Sequence, residues 1–98
     1  MLDTRFSDDI TLRCEALFDR VEAAPIGPNP HALRVALAEC DAIERAVESP
    51  VAICRVRDVR YWVRLAYGRT LHGYPPEDLR RNLLGALTRF AAAAQASK

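Results

Sequence analysis

Apolar residues recur every three or four positions along most of the chain, which is the spacing of a buried helix face. The first such stretch covers about residues 7–24, and its apolar positions are Ile10, Cys14, Leu17, Phe18, Val21 and Ala24. Similar stretches cover about residues 30–48, 50–69 and 76–95. The pattern therefore predicts an all-α fold, a small single domain of three to four helices packed in a bundle-like arrangement.

Prolines separate the predicted helices. The segment PIGPNP, residues 25–30, ends the first stretch because proline cannot continue a helix. Asn29–Pro30 and Ser49–Pro50 each place a capping side chain directly before a proline, which is typical of a helix N-terminus. Residues 50–55 also fit a short extended segment. We favour the helix there, because no second strand is predicted with which such a segment could pair.

The third stretch separates charged from apolar positions most sharply. On a helical wheel its core-facing residues are Val56, Val59, Trp62, Val63 and Ala66. Arginines occupy the opposite face, tyrosines flank them, and a further arginine closes the segment. Guanidinium and phenol groups are common anchors at protein interfaces, and they also pair with phosphates and stack on bases. The candidate partner-binding residues are therefore Arg57, Arg60, Tyr61, Arg64, Tyr67 and Arg69.

Charge is divided unevenly along the chain. Residues 1–50 carry five arginines against ten acidic residues, whereas residues 51–98 carry nine basic residues against three acidic ones. The formal net charge of +1 conceals this division. The two halves can neutralise each other within one domain, or the basic face can be presented to a partner. The sequence leaves open whether the acidic half covers the arginine stripe.

A few residues do not fit the faces on which they lie. Glu39 falls inside the apolar arc of the second helix, where a carboxylate requires either an internal partner such as Arg55 or Arg64, or an interface. Three leucines, Leu12, Leu37 and Leu84, lie off the core stripes, and a glycine interrupts the fourth helix at a cost of about 1 kcal/mol relative to alanine. These features suggest a second apolar surface, and the candidate homodimer contacts are Leu37, Glu39, Leu84 and Gly85.

The chain lacks the residue patterns on which catalysis or cofactor binding depends. Its cysteines, Cys14, Cys40 and Cys54, lie among apolar neighbours, as expected for reduced thiols in a core. There is no CxxC or HxxxH pair for a metal, and no glycine-rich loop for a nucleotide. We therefore expect a protein that is not an enzyme, with no catalytic residues, no metal site, no cofactor and no evident small-molecule substrate.

Nucleic acid and membrane are the less favoured partners. The isoelectric point of about 7.8 lies below the value of about 9 that is common among dedicated nucleic-acid-binding domains. No helix-turn-helix is evident. The first nine residues include three acids, and no apolar stretch approaches the roughly 20 residues that span a bilayer. The expectation is a cytoplasmic protein without membrane association.

These observations favour a small non-enzymatic protein-interaction module that binds and modulates a larger protein. Small helical domains often act in transcription regulation, so an antagonist of a transcriptional regulator is the expected form. The Ala- and Arg-rich composition is typical of GC-rich bacterial sequences. Two alternatives stay open: a nucleic-acid-binding protein that uses the arginine and tyrosine face of the third helix, and a structural homodimeric subunit.

Overall fold

The computed structural model describes residues 4–69 and 73–96, with the backbone alone for residues 4–9. Four helices account for most of this part of the chain, and none of it forms a strand: α1 (Thr4–Ala23), α2 (Pro30–Ala46), α3 (Pro50–Tyr67) and α4 (Pro76–Ala96). The all-α prediction is confirmed, and the observed bounds differ from the predicted ones by at most three residues. Residues 50–55 belong to α3, so the helical interpretation of that segment is correct.

Side-chain caps explain where α2 and α3 begin. The Asn29 side chain accepts a hydrogen bond from the Ala32 N–H at 3.0 Å, and the Ser49 hydroxyl accepts one from the Ala52 N–H at 3.4 Å. In both helices a proline follows the cap directly, where its missing N–H costs nothing. Each cap satisfies a backbone donor that the first turn would otherwise leave free.

Gly68 ends α3 by a close backbone approach. Its N–H donates to the carbonyl oxygen of Arg64 at 2.9 Å. A Cβ atom at this position would overlap the same oxygen, so any residue other than glycine requires the end of α3 to shift. The last residue of α3 is Tyr67, and Gly68 is its C-cap.

The helices form an up-and-down four-helix bundle. Helices that are consecutive in the chain contact each other, and α4 also contacts α1. Consequently α1 and α3 lie on one diagonal of the bundle, and α2 and α4 lie on the other. Arg80, near the start of α4, donates to the carbonyl oxygens of Val21 and Ala24 at the end of α1, so α1 and α4 are antiparallel. The bundle is elongated, with principal extents of 43 × 21 × 19 Å.

The α1–α2 connection is tied to the end of α3. The Gly27 N–H donates to the carbonyl oxygen of Ala66 at 3.0 Å, and the Asn29 N–H donates to that of Tyr67 at 2.9 Å. Gly27 has a φ of 151°, a conformation that glycine adopts without a steric penalty. Since the last carbonyls of a helix lack partners within it, these bonds both cap α3 and fix the start of α2.

The core lies along the bundle axis and is built mainly from aliphatic side chains, with the rings of Phe90 and Tyr67. Its largest fully buried members are Phe90, Leu17, Ile43, Leu79, Leu83, Val21, Val56, Val59 and Val63. Trp62, predicted to lie in the core, is only partly buried and packs against the edge of the core. None of the helices in the described part of the chain is long and apolar enough to cross a membrane.

Candidate interaction surface

The structure divides the predicted arginine stripe of α3 into paired and unpaired members. Arg60 is paired: its guanidinium donates to Asp41 and to Glu44 of α2, each at 2.7 Å. Burial lowers the pKa of Arg60, but the hydrogen bonds to the two carboxylates outweigh it and raise that pKa above its usual value. The Arg60 side chain is only 17% exposed. Arg60 therefore belongs to the α2–α3 contact, which corrects its assignment to the partner-binding surface.

Three other arginines remain available to a partner. Arg57, Arg64 and Arg69 are exposed, and none of them forms an ion pair with another residue of the described chain. Among the residues that the structure describes, the acidic half of the chain therefore covers only the middle of the stripe. Because an unpaired guanidinium keeps its donors for an external carboxylate, the α3 surface retains an attraction for acidic groups.

Aromatic rings form a row beside these arginines. The Tyr61 and Trp62 rings meet edge to face with centroids 5.1 Å apart, and the Trp62 and Tyr74 rings do so at 5.4 Å. Tyr61 is 54% exposed and Tyr74 is 43% exposed. We refer to Tyr61, Trp62 and Tyr74 as the aromatic row. It extends from α3 to the connection just before α4, and it presents two large rings to solvent.

Tyr74 was not among the sequence-predicted site residues. It precedes Pro75 and Pro76 in the connection, outside any helical pattern, so a helical wheel gives it no face. The sequence did contain one signal: Tyr74 is an aromatic residue in the proline-marked connection that directly follows the helix of Trp62.

Tyr67 does not belong to the surface on which the sequence placed it. It is 3% exposed and packs in the core, and burial raises the pKa of its hydroxyl, an effect that the charge of Arg80 partly offsets. The reason is helical geometry: Tyr67 follows buried Val63 by four residues, so both side chains lie on the same face. The prediction that Tyr67 flanks the exposed arginines was wrong.

The candidate dimer residues do not form one surface. Glu39 pairs with Arg13 of α1 at 3.2 Å, not with Arg55 or Arg64, so its carboxylate is satisfied within the bundle. Leu37 and Leu84 are partly buried against the core. Since Leu37 and Glu39 lie on α2 whereas Leu84 and Gly85 lie on α4, the set is split between diagonal helices, which share no side of the bundle.

Two cysteines lie in the core as the sequence predicts, whereas the expectation that Cys54 also lies there was wrong. Cys14 and Cys40 are buried, and burial raises the pKa of Cys14 to about 11 and that of Cys40 to about 12. Both thiols are therefore protonated at neutral pH and are poor nucleophiles. Cys54 is exposed. Within the described ranges, no three His, Cys, Asp or Glu side chains are grouped in a way that could hold a metal ion.

Comparison with known proteins found no similar family, protein or structure. No protein-family model matches the chain, and neither the curated proteins nor the solved structures contain a match. The case for a function consequently rests on the side chains themselves.

Proposed function

We propose that this protein is a small interaction module that binds an acidic surface of a larger protein through α3. The aromatic row and the unpaired Arg57 and Arg64 beside it form the binding surface. The observation that carries the proposal is the edge-to-face row itself, in which two tyrosines are about half exposed next to arginines without internal partners. Tyr, Trp and Arg are the residues most enriched among those that dominate binding energy at protein interfaces.

Binding would combine two contributions. The rings of Tyr61 and Tyr74 supply apolar area that the fold leaves exposed, and packing on Trp62 holds them in place, so little side-chain freedom is lost on binding. Arg57 and Arg64 supply charge-assisted hydrogen bonds to carboxylates of the partner. A partner surface with an apolar depression bordered by Asp or Glu fits this arrangement.

The proposed biological role is modulation of that partner by occupying its surface. A transcriptional regulator in the bacterial cytoplasm is the favoured partner class, since small helical proteins without catalytic groups often act as antagonists of such regulators. To block a surface of the partner, the protein needs only to bind there and to be large enough to exclude other molecules, and a chain of 98 residues is large enough.

A protein partner suits this surface better than a nucleic acid. Arg60, at the centre of the stripe, is already paired with Asp41 and Glu44, so it adds little to a phosphate-binding surface. Few phosphate contacts remain for the sequence-independent attraction that dominates nucleic-acid affinity. The nucleic-acid alternative predicts a log–log salt slope near −3 for about three to four phosphate contacts.

Affinity capture with matched variants tests the proposal. The tagged wild-type protein, the double variant Tyr61→Ala/Arg64→Ala and the control Arg89→Ala are each incubated with lysate of the source organism, with and without nuclease treatment. Arg89 is exposed on α4 and lies outside the surface. We expect one protein to be recovered with the wild type and the control but not with the double variant. Equal recovery by all three variants, or loss of the partner on nuclease treatment, contradicts the proposal.

The purified partner then allows each residue to be measured. Tyr61→Ala and Arg64→Ala should each raise the dissociation constant at least about fivefold, a loss of about 1 kcal/mol of binding free energy, with little change in folding stability. Arg60→Met should leave affinity nearly unchanged, because Arg60 is already engaged with α2. Normal binding by both the Tyr61 and Arg64 variants would remove α3 as the site.

A further inference from the structure

A second concave feature lies between the end of α1 and the start of α2. This cleft has a volume of about 390 Å³, within the range of about 300–1,000 Å³ that is usual for small-molecule sites. Its walls are mainly apolar and include Leu17, Val21, Val35 and Ala36. None of the residues of the aromatic row takes part in it.

One residue that lines the cleft has a hydroxyl without a hydrogen-bond partner among the described residues. Tyr67 lines the cleft, is 3% exposed and makes no hydrogen bond with any described residue through its side chain. The described residues include no sealed side-chain oxygen or nitrogen that lacks a partner. The Tyr67 oxygen is therefore not sealed, and the small part of the residue that remains accessible includes it. Because the Tyr67 oxygen is accessible and forms no hydrogen bond with a described residue, its O–H can donate to an acceptor in the cleft that Tyr67 lines.

The other polar side chains of the cleft are donors. Arg20, Asn29 and His31 line it, and no Asp or Glu does. The Asn29 oxygen is occupied by its cap to Ala32, which leaves its amide N–H₂ as the free end. Arg20 is exposed and has no ion pair in the described chain. The first turn of α2 adds the positive end of a helix dipole at the same place.

We propose that this cleft binds a small apolar carboxylate. The hydrocarbon part of the ligand lies against the aliphatic walls, and the carboxylate accepts hydrogen bonds from the Tyr67 hydroxyl and the Arg20 guanidinium. An apolar body with one anionic end matches a cleft that has apolar walls, several donors and no acid. This inference is independent of the proposed protein partner, since the two sites share no residue.

A bound ligand would also stabilise the folded state against unfolding. The cleft joins α1 and α2 with Tyr67 at the end of α3, where the backbone of Asn29 is already hydrogen-bonded to Tyr67. A molecule that binds this arrangement and not the unfolded chain must raise the melting temperature in a concentration-dependent way.

Decanoate is a suitable probe, with decanol as its uncharged counterpart. Affinities are measured by calorimetry, and the site is mapped by amide chemical shifts in ¹⁵N-labelled protein. We expect decanoate to bind at least about tenfold more tightly than decanol, because a hydrogen bond to a charged group contributes about that factor or more. Shifts should concentrate around Val21, Ala32 and Val35, and the melting temperature should rise with decanoate concentration.

Two variants and a control identify the donors. Tyr67→Phe and Arg20→Gln should each weaken decanoate binding about tenfold, whereas Arg89→Gln should not change it. Because the Tyr67 hydroxyl has no partner among the described residues, Tyr67→Phe should leave the melting temperature of the free protein unchanged or slightly raised, which separates a binding role from a structural one.

The proposal is overturned by any of three results: no decanoate binding at millimolar concentration, equal affinity for decanoate and decanol, or unchanged affinity in both donor variants. Ala32→Leu provides an independent check, because added bulk at this partly buried wall position should block the cleft while preserving the helix. Unchanged decanoate binding in that variant places the ligand elsewhere and equally contradicts the proposal.

Discussion

Arg60 forms ion pairs between the basic and acidic halves of the chain, and its replacement tests how much these ion pairs stabilise the fold. Arg60→Met keeps most of the aliphatic stem but removes two hydrogen bonds of 2.7 Å, to Asp41 and Glu44. A hydrogen bond to a charged group contributes about 1.5–3 kcal/mol when shielded from solvent, and an exposed ion pair about 0.2–1 kcal/mol. The Arg60 side chain is 17% exposed, and the two carboxylate side chains are 52% and 28% exposed. We therefore expect a total loss of about 2 kcal/mol.

Urea denaturation followed by circular dichroism at 222 nm measures this loss. Arg57→Met is the matched control, because Arg57 lies on the same helix but is exposed and unpaired, and its replacement should change the free energy of unfolding by less than about 0.5 kcal/mol. A double-mutant cycle with Glu44→Gln should give a coupling energy of about 1 kcal/mol that decreases with added salt. Equal effects of the two arginine variants, or a coupling energy of zero, would refute the reasoning.

Further predictions concern the glycines and the cysteines. Gly68→Ala should lower the free energy of unfolding by more than about 1 kcal/mol, because its Cβ would overlap a carbonyl oxygen of α3. Gly85→Ala should raise the free energy of unfolding by about 0.5–1 kcal/mol, because its Cβ meets only the end of a flexible side chain. Chemical denaturation measures both changes, and changes of the same sign would contradict this account of the two glycines. Above pH 9 the thiols of Cys14 and Cys40 ionise in the unfolded chain but stay protonated in the folded one up to about pH 11 and 12 respectively, so stability should fall across this window, by about 1 kcal/mol for each thiol at pH 10. Unfolding curves at pH 8 and pH 10 measure the fall, which should be shallower in Cys40→Ala; an identical fall in that variant would show that burial of the thiol is not the cause.

Local signals made the helices predictable from sequence. The capping pairs Asn29–Pro30 and Ser49–Pro50 specify helix starts through one side chain and one ring, with no dependence on distant residues. The spacing of apolar residues likewise requires only that one face of each helix be buried. The four helices therefore followed from short-range patterns, and their predicted bounds were wrong by at most three residues.

The interaction surface was less predictable because it depends on which helices are neighbours. A helical wheel shows that Arg60 is polar but not that α2 brings two carboxylates to it. Trp62 appeared on the wheel as a core residue, whereas the bundle leaves it half-buried between Tyr61 and Tyr74. Tyr67 could have been placed correctly, since its spacing from Val63 was available in the sequence.

Site-specific photocrosslinking tests the proposed α3 interface most directly. The photoreactive residue p-benzoylphenylalanine replaces Tyr61 in one variant and Arg89 in another, and both are irradiated in the cells that express the protein. We predict one crosslinked protein partner from position 61 and none from position 89, with nuclease leaving the adduct unchanged. An adduct that nuclease removes, or equal crosslinking from both positions, would contradict protein binding through this surface.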